Sequence, residues 1–263
     1  MTTTSDIKVT LTGCMGQLRD GQWVPDDDLT VLNAAKASFS RQANTLGPKE
    51  RRLIQYLGEH QHTSPFRHPH FRFIIEAPEF VMRQLYKHVV GIESTSAPSP
   101  CKDHAWSEQS QRFRPAHEVY VPETWRRQHT RAKQCSGGEL GPAEQKQAAE
   151  IYRLAMTASD SAYRTLLGMG VAREMARLVK PLSTMTRVVW TASLQAIAHF
   201  VALRDHADAQ PEITTVATQL AEAVRPFLPV AWDTLLAGLR PPSQPKPKPS
   251  GPVTKTNLKI VFA

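Results

Sequence analysis

A mixed, helix-dominated fold with at least one strand is what the sequence predicts, and three patterns carry that expectation. Apolar side chains recur at helical spacing between Pro142 and Leu167, giving a long amphipathic helix. The stretch from Thr186 to Arg204 is apolar nearly all round and reads as a buried helix. His70-Phe71-Arg72-Phe73-Ile74-Ile75-Glu76 alternates aromatic or aliphatic with polar residues, the period of a half-buried strand.

In chain order, Leu29 to Phe39 reads as a short helix, and Pro48 to Leu57 as a second with proline near its start. After the strand, Pro78 opens a third helix that runs to Val90. Residues 92–105, rich in Ser, Pro and Thr, form a loop. The long helix from Pro142 ends at Gly168-Met169-Gly170, another spans Ala172 to Lys180 and stops at Pro181, and Ile213 to Val224 marks a further one. Residues 1–240 are expected to form one domain. Residues 241–263, with Gln-Pro-Lys-Pro-Lys-Pro, are expected to be an extended tail.

Composition narrows the function. The chain has 263 residues, 41% of them hydrophobic, enough for one substantial core. It carries no apolar run of membrane-spanning length and no basic, apolar leader after Met1, so a cytoplasmic location without membrane partners is expected. Cys14, Cys101 and Cys135 are odd in number and widely spaced, fitting neither a disulfide framework nor a zinc site. The net charge of +8 raises nucleic acid as a partner, but the cations are dispersed and several stand beside polar motifs. Free phosphorylated nucleotides therefore rank ahead of polymeric nucleic acid.

Three polar clusters stand out. In the first, Gln84, Lys87 and His88 share one helical stripe, and Glu108, Ser110 and Arg112 follow at alternate positions, so an extended segment would aim all three the same way. In the second, His60, His62, His68 and His70 flank Thr63-Ser64-Pro65. Prolines interrupt that segment and no acidic partner is near, so a ligand-holding turn ranks ahead of a metal site, and a merely solvated loop ahead of both on these residues alone. The third gathers Arg173, Glu174, Arg177, Ser193, Gln195, His199 and Arg204. Singly, each has a structural explanation, such as a cation at a helix C-terminus for Arg204. Together they are too many buried-looking polar groups to lack a polar partner.

These segments, in this order, resemble the flavin-dependent thymidylate synthases from about Leu32 to about Phe227. The strongest are His62-Thr63-Ser64-Pro65-Phe66-x-His68, the split cluster, and Arg173-Glu174-x-Ala176-Arg177-x-Val179-x-Pro181 with Phe200-x-x-Leu203-Arg204. The resemblance implies an α+β fold, helices packed with an antiparallel sheet, in a homotetramer whose active sites lie at subunit interfaces. It implies FAD as cofactor, with NADPH and 5,10-methylenetetrahydrofolate as co-substrates, and no metal. Gln84, Lys87, Glu108, Ser110, Gln111, Arg112, Arg177 and Arg204 would then hold the pyrimidine nucleotide. Ser64, Lys87, His88, Val89, Val90, Glu108, Ser193, Gln195 and His199 would fall at the flavin. Arg204 and His62 would be the catalytic pair, Arg204 stabilising charge on the uracil ring and His62 beside the flavin and folate.

The chain departs from the family pattern at four of these positions. Val89 stands for an arginine, and Ser193, Gln195 and His199 stand for Asn, Arg and Asn. The insertion between His88 and Glu108 either compensates, with Lys102 and His104 as candidates, or is a passive surface loop. The departures favour the branch resembling the UMP/dUMP methylases of polyoxin-type nucleoside-antibiotic pathways. The alternatives are a strict thymidylate synthase making dTMP from dUMP and, remotely, a non-catalytic nucleotide- or RNA-binding homologue.

Overall fold

The computed structural model describes residues 2–87, 104–115, 117–131 and 135–239. It begins with four strands, β1 (Thr2–Thr4), β2 (Lys8–Cys14), β3 (Gly16–Arg19) and β4 (Gln22–Pro25), then helices α1 (Asp28–Lys36) and α2 (Pro48–Glu59). Strand β5 (His70–Pro78) leads directly into α3 (Glu79–Lys87). Short strands β6 (His104–Glu108), β7 (Glu118–Tyr120), β8 (Arg126–Gln128) and β9 (Ser136–Glu139) precede the long helix α4 (Pro142–Gly168) and the brief α5 (Arg173–Ala176). Strand β10 (Met185–Ser193) and helices α6 (Leu194–Arg204), α7 (Pro211–Val224) and α8 (Pro229–Leu239) complete it.

The centre is a four-stranded antiparallel sheet in the order β2-β5-β10-β6. Alternation along β5 and β10 turns Phe71, Phe73, Ile75, Val188, Trp190 and Ala192 inward, while Arg72, Arg187 and Val189 stay exposed on the other face. One row crosses all four strands: Leu11 opposite Phe73, Phe73 opposite Trp190, Trp190 opposite Trp106. Trp190 also meets Phe200 of α6 edge-on, with ring centroids 6.4 Å apart. Residues of α1, α2, α6, α7 and α8 join this face in one core. The mixed helix and antiparallel sheet expected of the chain is therefore present.

Local signals explain the helix ends. Asp27 and Thr30 form a capping box at α1, and Pro48 and Pro142 occupy the first turns of α2 and α4. Asp28 is 6% exposed and accepts hydrogen bonds from the Val230 and Ala231 amides, capping α8 from outside. Helices α2 and α8 touch through glycines: a Cβ on Gly58 would sit 2.5 Å from Thr234 Cγ2, and one on Gly238 would sit 2.5 Å from the Gly58 carbonyl.

Several expectations need correction. The segment 186–204 is not one helix: residues up to Ser193 form a strand, because Thr186, Val188, Val189 and Thr191 are β-branched and alternate between faces. Ser193 then caps α6, its hydroxyl accepting from the Ala196 amide at 3.2 Å. Pro78 ends β5 rather than opening α3, whose first amides donate to the Thr184 and Leu182 carbonyls. Residues 172–180 hold only the one-turn α5 and a 3₁₀ turn from Arg177 to Val179. His104 and Ala105, expected in a loop, begin β6. The rest of that loop, the end of the third expected helix from His88 to Val90, and the tail lie outside the described residues.

Candidate functional site

Helix α3 divides the candidate residues. Its first turn presents Glu79 and, one turn on, Arg83 to a cavity of 590 Å³. Glu108, Gln109, Ser110 and Gln111 come to this cavity from the end of β6, and Arg177, Leu178, Lys180, Pro181 and Leu182 from the segment after α5. The Leu182–Thr184 strap that satisfies the first amides of α3 thus also fixes one cavity wall.

Several polar groups in the cavity are held by nearby partners. The Glu108 carboxylate accepts from the Thr186 hydroxyl at 3.1 Å and the Trp106 indole at 3.4 Å. The Gln111 amide donates to Glu79 Oε1 at 3.3 Å. Burial, reinforced by the negative charge of Glu108, pushes the Glu79 carboxyl above the usual carboxylate range, against the pull of Arg83, Arg177 and the Gln111 bond. Lys180 is anchored by Asp160 at 3.4 Å and by the Tyr163 ring, whose centroid lies 4.3 Å from the ammonium. The Arg177 Nε donates to the Glu174 carbonyl, which orients an otherwise exposed guanidinium.

The expected extended presentation of Glu108, Ser110 and Arg112 is not what forms. Strand β6 ends at Glu108, and the Phe113 and Arg114 amides donate to the Ser110 carbonyl, so the chain turns there. The turn instead folds Arg112 back onto Ser110, whose hydroxyl accepts from both its amide and its Nε at 3.3 Å. Arg112 is exposed and reaches over the Phe113 ring rather than lining the cavity.

The other candidates lie on the far side of α3. Gln84 is about 140° around the helix from Glu79. Its amide donates to Gln210 Oε1 at 2.6 Å. Arg204 ends α6, its carbonyl accepting from the Thr214 hydroxyl, and burial lowers its guanidinium below the ordinary value. Lys87, exposed at the end of α3, falls on the sector between the two sides. Neither Gln84 nor Arg204 lines the cavity that holds Glu108 and Arg177. A single chain therefore presents two half-sets of the expected nucleotide residues, facing different ways.

Along α6, Gln195 is buried and His199 half-buried, one turn apart. Gln195 Oε1 and His199 Nδ1 are enclosed without a hydrogen-bond partner among the described residues, and burial lowers the His199 imidazole below its ordinary value. Ser193, fully buried, spends its hydroxyl on the α6 cap. His62 and Ser64 are exposed at the start of a 3₁₀ turn that packs against α6, with the His62 ring edge-on to Tyr56. His88, Val89, Val90 and Lys102 lie outside the described residues, and His104 is half-buried opposite Ala192. Among the described residues, no group of three His, Cys, Asp or Glu could hold a metal, and no helix is long and apolar enough to cross a membrane.

Three charged cavity residues were not singled out in the sequence: Glu79, Arg83 and Lys180. The first two were findable, since positions 79, 83 and 87 form a charged stripe along an otherwise apolar helix.

Comparison with known proteins identifies the family. The family described as thymidylate synthase complementing protein, Thy1, matches residues 21–230. The flavin-dependent thymidylate synthase of Thermus thermophilus is 37% identical over 207 residues, covering 78% of this chain and 70% of that protein. Its counterpart from Thermosipho melanesiensis is 32% identical over 211 residues, covering 80% and 86%. The crystal structure of the UMP/dUMP methylase PolB from Streptomyces cacaoi, bound with 5-bromo-dUMP, is 29% identical with a TM-score of 0.74, covering 92% of this chain and 100% of that one. A second PolB structure holds 5-bromo-UMP and gives a TM-score of 0.72. With four-fifths of its length matched by the family and its relatives, the chain belongs to the Thy1 family of flavin-dependent thymidylate synthases and is an enzyme of that family.

Proposed function

We propose that this enzyme methylates uracil C5 in a uridine monophosphate, accepting UMP and dUMP, with methylenetetrahydrofolate as carbon donor and NADPH as reductant of its FAD. The cavity that joins Glu108, Ser110, Gln111 and Arg177 carries this reading, because it pairs cations suited to a phosphate with acceptors suited to a sugar. The full-length likeness to a protein crystallised with both 5-bromo-UMP and 5-bromo-dUMP supports the wider substrate range.

Gln84, Lys87 and Arg204 would complete the nucleotide site from a neighbouring copy, which is why the expected set is split across α3. Exposed apolar side chains beside the cavity support such an interface: Leu178 is 77% exposed, Met175 58% and Leu182 51%. A homotetramer is the proposed assembly. The proposed single catalytic domain would span residues 1–240.

The unpartnered Gln195 Oε1 and His199 Nδ1 fit the edge of a flavin, a ring system with donors and acceptors of its own. Ser64, Lys87, His88, Val89, Val90 and Glu108 would complete its pocket, with Ser193 buried behind it as the cap that orients α6. FAD, when bound, supplies the hydride that turns the one-carbon unit into a methyl group. The protein's own share is positional and electrostatic. Arg204, set against the N3 and O2 edge of uracil, stabilises the charge that makes C5 nucleophilic, so no cysteine nucleophile is needed. Arg177 holds the phosphate, and Arg112 would join it only by swinging off the Ser110 hydroxyl toward the cavity; Glu108 and Gln111 hold the sugar, and His62 shapes the folate side.

Purified protein is expected to be yellow. With NADPH and methylenetetrahydrofolate it should release tritium from 5-labelled UMP and dUMP. Turnover of dUMP alone would return the enzyme to strict thymidylate synthesis, and turnover of neither would end the catalytic reading.

A further inference from the structure

Glu79 stands apart from the residues on which the family resemblance rests. It enters the cavity from the first turn of α3, held there by Gln111 and by the backbone strap at Thr184. Glu108 enters from β6 and is near enough for its charge to act on Glu79. Both carboxyl groups line the same 590 Å³ space as Arg83, Arg177 and Lys180.

That mixture is informative. A cavity made only for phosphate would carry cations and amide donors, with no second carboxyl group to repel the anion. Two neighbouring acceptors beside three cations match a ligand with an anionic group and two adjacent hydroxyls. A ribonucleotide has a vicinal diol, whereas a deoxyribonucleotide offers one hydroxyl in the same place. We propose that Glu79 is a specificity-determining residue that accepts a hydrogen bond from the ribose 2′-hydroxyl of UMP, while Glu108 takes the adjacent 3′-hydroxyl. The inference rests on the uridylate reading above and assigns its substrate range to one side chain.

A 2′-hydroxyl without its partner loses one hydrogen bond, whereas dUMP has none there to lose. One hydrogen bond to a charged acceptor corresponds to about a tenfold change in affinity. The test compares the intact protein with Glu79→Leu and Glu79→Gln, measuring equilibrium binding of UMP and of dUMP by calorimetry and kcat/KM for each. In Glu79→Leu the UMP:dUMP ratio should fall about tenfold in both measurements, wherever the absolute values settle. Glu79→Gln, which keeps an acceptor oxygen, should lose less of the ratio, and it carries the comparison alone if leucine disrupts the start of α3.

Equal losses for both nucleotides would make Glu79 a structural residue and overturn the inference. So would a wild-type enzyme that binds dUMP and rejects UMP, although flavin-dependent methylation would then stand. Wild-type protein that neither binds nor methylates either nucleotide would remove the uridylate reading itself, and the inference with it.

Discussion

Lys180 should be the less costly half of its ion pair to lose, and Asp160 the more costly. Lys180 is 5% exposed and has two partners, Asp160 and the Tyr163 ring; Asp160 is 11% exposed and is shared between Lys180 and Arg164. In Asp160→Ala the ammonium stays enclosed with only an aromatic face, while Arg164, 59% exposed, turns to water. Removing one member of a buried pair costs about 3–5 kcal/mol, and the ring offsets part of that, leaving about 3 kcal/mol. In Lys180→Met, Asp160 keeps Arg164 at 2.8 Å and methionine fills the vacated space, so about 1–2 kcal/mol is expected. Urea unfolding midpoints at matched protein concentration measure both. The double variant should be more stable than Asp160→Ala alone, since it removes the stranded charge. If Lys180→Met proves as damaging as Asp160→Ala, or the double variant is worse than either, the pair is not what holds Lys180 at the cavity.

Three further outcomes follow from the geometry. Asp28→Ala should lose about 2–3 kcal/mol in chemical denaturation, because two charge-assisted bonds to the Val230 and Ala231 amides vanish from a buried helix start. Burial holds the His199 imidazole below its ordinary value of about 6.5. Its contribution to stability is therefore complete above that value and is lost as pH falls toward the depressed one, so the thermal midpoint should drop less between pH 7.5 and pH 5.5 in His199→Gln than in the wild type (tested over about two pH units). Thr186→Val keeps the shape of a side chain 6% exposed but removes the shorter of the two hydrogen bonds on the Glu108 carboxylate, so nucleotide binding should weaken about three- to tenfold while unfolding shifts by less than about 1 kcal/mol.

Helices whose one face is buried were legible in the sequence, as at Pro48–Glu59, Pro142–Gly168 and Pro211–Val224, because period and proline placement agree there. The boundary between β10 and α6 was not. Val189 and Thr191 occupy the outward face of the sheet, so the strand shows apolar or small residues on both sides and merges with the buried helix that follows. The N-terminal strands escaped notice although Lys8–Cys14 alternates exposed with half-buried residues. The cavity itself was half legible. Glu108, Ser110 and Arg177 stood out by type and spacing, but a turn at Ser110 redirected the residues that follow Glu108, and turn geometry depends on hydrogen bonds that a spacing rule ignores. The division of the nucleotide residues by α3 follows from which helix face meets α7, a tertiary contact absent from any local pattern.

The central sheet also bears on how the site comes into being. Strands β5 and β10 are neighbours in space but are separated in the chain by β6 to β9 and the whole of α4. Closing so long a loop must precede the contacts that reward it, which slows folding of such topologies. The strap at Leu182–Thr184 reaches α3 only once β10 has found β5, so Glu79 and Arg177 cannot face a common space before the sheet is complete. During refolding, recovery of nucleotide binding should therefore lag behind recovery of helical signal. The cavity should be among the last features of the molecule to form.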